Sequence, residues 1–97
     1  MVEGIKHDEK KLPMASMLCS FSKPLQEVCE VYNYGANLYG LNNYKSVDVH
    51  RYHNALQRHM FAYYAGETHD KESGLKHLAH VAWNALAILE LTGDKND

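Results

Sequence analysis

The 97-residue chain has no apolar run near the roughly 20 residues that cross a bilayer. Its first residues carry charge where a signal peptide would have its apolar stretch. Both absences read as a cytosolic protein without a membrane partner. A basic excess is also missing: 10 Lys and Arg stand against 12 Asp and Glu, a formal net charge of -2. That balance excludes a general binder of nucleic-acid polymers, which needs cations to neutralise phosphates, but leaves open a small anion where cations cluster. Cysteine is scarce. Cys19 and Cys29 are the two present, and Cys29 falls on the apolar side of a helical pattern, so both read as free thiols rather than a disulfide framework. No segment alternates apolar and polar residues as a half-buried strand does, so the expected fold is all-α.

What the chain does contain is globular in composition, with 45% hydrophobic and 23% charged residues. It reads as a single helical domain over residues 1–97 with an N-terminal arm over 1–21. A chain this short buries a small fraction of its surface, so a small bundle of about three main helices completed by homo-oligomerisation is expected. The arm mixes Lys6-His7-Asp8-Glu9-Lys10-Lys11 with Met14, Met17 and Leu18 and lacks a sustained period. From Ser22, a potential cap, Leu25, Val28, Cys29, Tyr32, Ala36 and Tyr39 follow at helical spacing, with Pro24 tolerated in a first turn. This predicts a helix over about 24–38. Gly35 inside it costs about 1 kcal/mol relative to Ala and suggests close approach of another backbone or of a ligand.

Residues 40–46 favour turns. Asp48 can then cap a second helix whose stripe is Tyr52, Leu56, Met60 and Tyr63, with His59 beside it and an end near Ala65-Gly66. A third helix is expected to open at Asp70 as N-cap, with Glu72 in its first turn, and to end at Thr92-Gly93. Its core face would be Leu75, Leu78, Ala79, Ala82, Leu86 and Leu89.

On that third helix His77, His80 and Asn84 lie three and four residues apart and share one side. Imidazoles ligate metals and transfer protons near neutral pH, so such a row reads as a site, with His59 as a third imidazole. The plainer alternative is histidines that bond backbone carbonyls beside a core. Glu27 and Glu30 give a Glu-x-x-Glu spacing that suits Mg²⁺ or Mn²⁺, and that surface helices also carry without a metal. Arg51 and Arg58, seven apart, can grip phosphate oxygens or form a solvated face paired with Glu67 or Asp70. Lys6 and Lys11 can close on the same anion. Tyr34, Tyr39, Tyr44 and Asn43 suit a nucleobase, or a core or subunit contact.

Taken in order, the blocks Gly4-Ile-Lys6-His-Asp8, Tyr34-Gly35-Ala36, Asn43-Tyr44, Arg51, Arg58-His59, Gly66-Glu67 and Asp70-Lys-Glu72-Ser73-Gly74-Leu75-Lys-His77-Leu78-Ala79-His80 through Asn84 resemble the phage-type dATP/dGTP diphosphohydrolase N-terminal-domain family. The last block is the most specific. The resemblance implies kinship with the all-α NTP pyrophosphohydrolases, oligomeric metal-dependent proteins that cleave nucleoside triphosphates to monophosphate and pyrophosphate. It carries over to His59, Glu67, Asp70, Glu72, His77, His80 and Asn84. The chain departs from the family pattern at Asn37-Leu38, where lysines are usual, at Tyr44, where Trp is usual, and at Lys10 and Leu12 around Lys11.

The resulting expectation is hydrolysis of a purine deoxynucleoside triphosphate at a divalent metal, Mg²⁺ or Mn²⁺ ahead of Zn²⁺. His59, Asp70, His77 and His80 are the expected ligands, and Glu72, His77 and His80 the catalytic groups. Lys6, Lys11, Tyr39, Asn43, Arg51, Arg58 and Asn84 would bind the substrate. The alternative is a phage nucleotide-binding protein that sequesters a nucleotide or cyclic-nucleotide signal in the host cytoplasm without catalysis.

Overall fold

The computed structural model describes residues 4, 5, 7 and 10–93. Four helices follow in order: α1 over Met14–Ser20, α2 over Ser22–Tyr39, α3 over Val49–Tyr64 and α4 over His77–Gly93, with a 3₁₀ turn at Asn43–Ser46. Among the described residues there is no strand, only an isolated antiparallel bridge between His69 and Lys76. The all-α expectation holds.

The arm contains a helix of its own, α1, which the sequence pattern did not separate. It stops because Pro24 has no N–H to offer the Ser20 carbonyl and its ring would collide with that oxygen, so the chain breaks helical geometry at Phe21. Phe21, not Ser22, occupies the N-cap position of α2, and no side chain caps it. Pro24 sits in the first turn of α2, where a missing N–H costs nothing. At α3 the local signals agree with the outcome. Asp48 accepts a hydrogen bond from the His50 N–H at 2.9 Å, and the helix closes through the Ala65 N–H on Phe61.

α3 and α4 pack along most of their length, α2 touches α4 over a shorter stretch, and α1 has only a slight contact with α2. The apolar core is thin. Among the described residues only Val31, Ala79 and Ala87 are buried hydrophobics, whereas His59, His77, His80 and Asn84 are buried too. The expected core face of α4 is therefore out of phase. Leu78, Leu86 and Leu89 are 44–68% exposed, and the histidine–alanine face turns inward instead. Gly35 also departs from expectation, because a Cβ there would meet nothing within 4 Å. It opens onto a cavity between α2 and α3, which do not pack closely.

No helix among the described residues is long and apolar enough to cross a membrane. Cys19 and Cys29 are free and exposed.

Candidate functional site

The loop between α3 and α4 begins with Gly66 at φ 104°, a left-handed turn that glycine adopts without strain. It then folds on itself. The Asp70 N–H donates to the Leu75 carbonyl at 2.8 Å, the Gly74 N–H donates to the Asp70 carbonyl at 2.8 Å, and the His77 N–H donates to the Thr68 carbonyl at 2.9 Å. Asp70 is thus not the N-cap of α4. Its Oδ2 accepts from the Ser73 N–H at 2.9 Å and the Ser73 hydroxyl at 2.8 Å, and α4 begins only at His77. Glu72 is exposed on this loop. The loop's effect is to hold Glu67 and Asp70 against the first turn of α4.

Three histidine hydrogen bonds and one ring stack follow from that placement. Glu67 Oε1 lies 2.7 Å from His77 Nε2. An ionised carboxylate only accepts, so His77 carries its proton on Nε2 and turns the Nδ1 lone pair toward His59 Nδ1, 2.8 Å away. His80 stacks on His59 with ring centroids 4.3 Å apart and planes 7° apart. Its Nε2 is 2.7 Å from Ser73 Oγ, and since that hydroxyl donates to Asp70, His80 donates to the hydroxyl. The other ring nitrogen, Nδ1, keeps its lone pair. Among the described residues no buried side-chain polar atom lacks a hydrogen-bond partner.

The electrostatics favour the neutral forms of His59 and His80. Burial, followed by the facing His80, pushes His59 down to about 4. Burial also lowers His80, against the opposing pull of Asp70. Burial raises Asp70, but the two Ser73 hydrogen bonds and the facing His80 and His59 outweigh it and hold the carboxyl below its ordinary range. The hydrogen bond from His77 lowers Glu67 likewise.

Such groups suit a divalent cation. His59, Asp70 and His77 each offer one ligand atom, all within 4.8 Å of one another. Between His59 and His77 one proton is shared by two nitrogens, and a cation in its place would meet two lone pairs and a carboxylate. The Glu67–His77 bond has the form of the carboxylate–histidine pairs that orient metal-binding imidazoles. His80, whose Nε2 is taken by Ser73, stands beside this set.

Above the cluster opens a cavity of about 540 Å³ between α2, the 3₁₀ turn, α3 and α4. His59, His80 and Asn84 line its buried end. Asn84 donates its amide to the His80 carbonyl at 2.8 Å, which leaves its oxygen as an acceptor. Arg51 and Arg58 line the cavity, and among the described residues neither has an acidic partner; Glu67 pairs with Lys71 and His77 instead. Tyr39, Asn43, Tyr34 and Tyr44 line the opposite side. Trp83 packs edge-on against Tyr44 and Tyr52 at 6.1 and 5.5 Å between centroids, and the Tyr52 hydroxyl donates to the Tyr44 carbonyl at 3.0 Å, pinning the turn over the cavity.

The structure thus brings together His59, Asp70, His77 and His80, and places Tyr39, Asn43, Arg51, Arg58 and Asn84 around one cavity. Lys11 is exposed and outside the cavity lining, and Lys6 lies outside the described residues. Glu27 is held by Lys76 at 2.6 Å and Glu30 is exposed, so the Glu-x-x-Glu pair is not gathered into the cluster. Ser73 and Trp83 were not singled out from the sequence. Asp70-x-x-Ser73-Gly74 carries a signal that finds Ser73, because Asp accepting from a residue three ahead, followed by glycine, marks a tight turn.

Residues 2–97 match the family described as dATP/dGTP diphosphohydrolase, N-terminal. The chain belongs to that family. It is 32% identical over 92 residues to a dATP/dGTP diphosphohydrolase of Salmonella phage PMBT28, an alignment that covers 95% of this chain and 31% of that protein. The chain therefore spans about a third of this relative's length. No solved structure matches it.

Proposed function

We propose that this family member hydrolyses a purine deoxynucleoside triphosphate to the monophosphate and pyrophosphate with the help of a divalent metal. The carrying observation is the adjacency of two things: a nucleotide-sized cavity with two arginines that have no acidic partner among the described residues, and the His59–Asp70–His77 donor set, whose His59 lines the cavity's buried end. The relative named as a dATP/dGTP diphosphohydrolase supports the substrate class.

In this reading His59, Asp70 and His77 hold the cation, which when bound neutralises phosphate charge and makes water more acidic. Two imidazoles beside one carboxylate favour Mn²⁺ over Mg²⁺, since Mg²⁺ prefers an all-oxygen shell. Glu67 orients His77. Arg51 and Arg58 grip the phosphate oxygens, bidentately where geometry allows. A water oxygen forms the new bond to the α-phosphorus as the α–β bridge breaks and pyrophosphate leaves. His80, fixed by Ser73 with Nε2–H, offers Nδ1 to take the water's proton. Tyr39 and Asn43 receive the base.

A second reading has its own support. Asn37 and Leu38 stand where lysines are usual in the family, which removes two cations from the phosphate grip. If turnover depends on them, the domain binds and sequesters a nucleotide, including a cyclic one, without cutting it.

Incubation of the pure protein with dATP or dGTP and Mn²⁺ separates the two. Monophosphate and pyrophosphate are the expected products. Tight binding with the nucleotide recovered intact after denaturation supports sequestration, and neither binding nor product overturns both.

A further inference from the structure

Three glycines of the chain are required by their own backbone, but Gly35 is not. Gly40, Gly66 and Gly74 have φ of 97°, 104° and 77°, where a side chain would be strained. Gly35 lies inside α2, four residues before its last residue Tyr39, without a positive φ. Glycine at such a position weakens a helix relative to alanine, so local structure gains nothing from it. Close packing gives no reason either, because a Cβ built on Gly35 meets nothing within 4 Å.

What Gly35 does border is the cavity of about 540 Å³ that Arg51 and Arg58 line. Val31, Gly35 and Tyr39 stand four residues apart on one face of α2, and all three line that cavity. Val31 is buried and Tyr39 is exposed. Between them the face has a gap one side chain deep, with helix backbone as its floor. Helical side chains lean toward the N-terminus, so Tyr39 is the residue set above the turn of Gly35. The facing wall comes from α3 through Arg51, Ala55 and Arg58. The cavity also holds an unmet acceptor. Asn84 is 4% exposed and gives its amide to the His80 carbonyl, and among the described residues no donor meets its own oxygen. Buried polar groups are ordinarily satisfied, so this one marks the cavity as a place for a ligand rather than a packing void.

We infer that Gly35 is a specificity-determining residue of this cavity: the flat face of a two-ring base lies against the α2 backbone there, beside Tyr39, and the absent side chain is what admits the second ring. A planar group can approach the backbone more closely at glycine than at any other residue. The assignment rests on the nucleotide reading above. It puts the base between α2 and α3 with the phosphates toward Arg58 and the cation set. A one-ring base stays clear of Gly35.

Isothermal titration of the full chain tests this, with Mn²⁺ and the α,β-imido analogues of dATP, dGTP and dCTP, whose altered bridge prevents the cleavage. Gly35→Ala adds one methyl group to the gap. It is expected to weaken both purine analogues about 10-fold or more and to leave the dCTP analogue within about 2-fold. Affinity for Mn²⁺ alone should not change. The same variant is expected to unfold at a higher urea concentration than the unmodified protein, because alanine is the better helix former and its methyl has room. A glycine with a merely structural role cannot give both results, since damage to the fold would lower the urea midpoint and weaken every ligand together. Unchanged purine affinity in Gly35→Ala, or an equal loss for the dCTP analogue, overturns the proposal and leaves the nucleotide reading standing. No binding of any analogue by the unmodified protein overturns both. A changed sedimentation coefficient in Gly35→Ala would mean that the gap receives another chain instead, and it too overturns the proposal.

Discussion

The two sides of α4 invert the usual sorting of residues. Its buried side carries His77, His80 and Asn84 with Ala79 and Ala87, and its open side carries Leu78, Leu86 and Leu89. Polar groups can be buried cheaply only when each finds a partner. The histidine side meets that condition through Glu67, Ser73 and His59. The leucine side has no such requirement, but each exposed leucine forgoes the roughly 2 kcal/mol that full burial would give. A domain that places a satisfied polar cluster at its centre and leaves its leucines outside is organised around a site first, with its apolar packing left to a second surface.

The largest expected effect comes from breaking the polar side. His77→Ala removes the group that joins Glu67 to His59, leaves the His59 proton without an acceptor and deletes one donor of the three-residue set. Nucleotide hydrolysis is expected to fall at least about 100-fold and cation affinity about 10–100-fold, with about 1–3 kcal/mol lost in stability. Isothermal titration with Mn²⁺ and a product assay measure the first two. An unchanged Mn²⁺ affinity would remove His77 from the cation site.

Acid tests the same side without mutation. His59 has a folded value near 4, below the ordinary 6.5, so folding favours its neutral form. The stability this gives is complete above about pH 6.5 and is lost as pH falls toward 4, where the unfolded chain binds the proton more readily. His80 is shifted in the same direction. In the presence of a chelator, the stability measured by urea unfolding is expected to drop by about 2–3 kcal/mol between pH 7 and pH 4.5. A flat profile over that window would mean that the cluster tolerates charge and is not the closed polar core described here.

How much of this contrast was legible in the sequence depends on how local the deciding forces are. The helix Val49–Tyr64 was, because Asp48 and the Ala65-Gly66 stop act within a turn of their own positions. The row of His77, His80 and Asn84 was, because helical spacing alone puts them on one side. The start of α4 was not. Asp70 makes with the Ser73 N–H the same bond that an N-cap makes with the third residue of a helix, and only Gly74 at φ 77° diverts the chain out of helical geometry. The inward face of α4 was hidden for another reason. Hydropathy ranks leucine above histidine, and the partners that make histidine burial cheap come from α3 and a folded loop. Met14–Ser20 was too short to show a period by itself.

Arg58→Ala probes the cavity rather than the cluster beneath it. With no carboxylate partner to strand, the change is expected to leave stability within about 0.5 kcal/mol. It is expected to raise the nucleotide KM or Kd about 10-fold or more through loss of charge-assisted bonds to phosphate. Equal affinity for nucleoside and triphosphate in the unmodified protein would place phosphate recognition elsewhere. Ser73→Ala is intermediate. It strips one hydrogen bond from Asp70 and leaves His80 Nε2 without its acceptor, for an expected cost of about 1–2 kcal/mol. The ¹⁵N shifts of His80 should then report a mixture of tautomers where the unmodified protein has Nε2–H alone.

The smallest effect is expected on α2. Glu27 lies across from the loop and is held by Lys76 at 2.6 Å, a pair whose lysine is about half exposed. Solvent screens such a pair, and exposed ion pairs contribute about 0–1 kcal/mol. Glu27→Gln keeps the shape and removes the charge, so the urea midpoint should barely move, while Mn²⁺ affinity stays the same. Glu30→Gln, on an exposed position, should do less still. The pair is informative because Glu-x-x-Glu on a helix is a spacing that oxygen-liganded metals use, and α2 does border the cavity. A clear loss of Mn²⁺ affinity in Glu27→Gln would draw the cation away from the three-residue set toward α2, and would require Lys76 to release its carboxylate when metal binds. An unchanged affinity beside the large loss in His77→Ala confines the cation to the α3–α4 side, and leaves α2 as a wall of the cavity whose Glu27 only holds Lys76 of the loop in place.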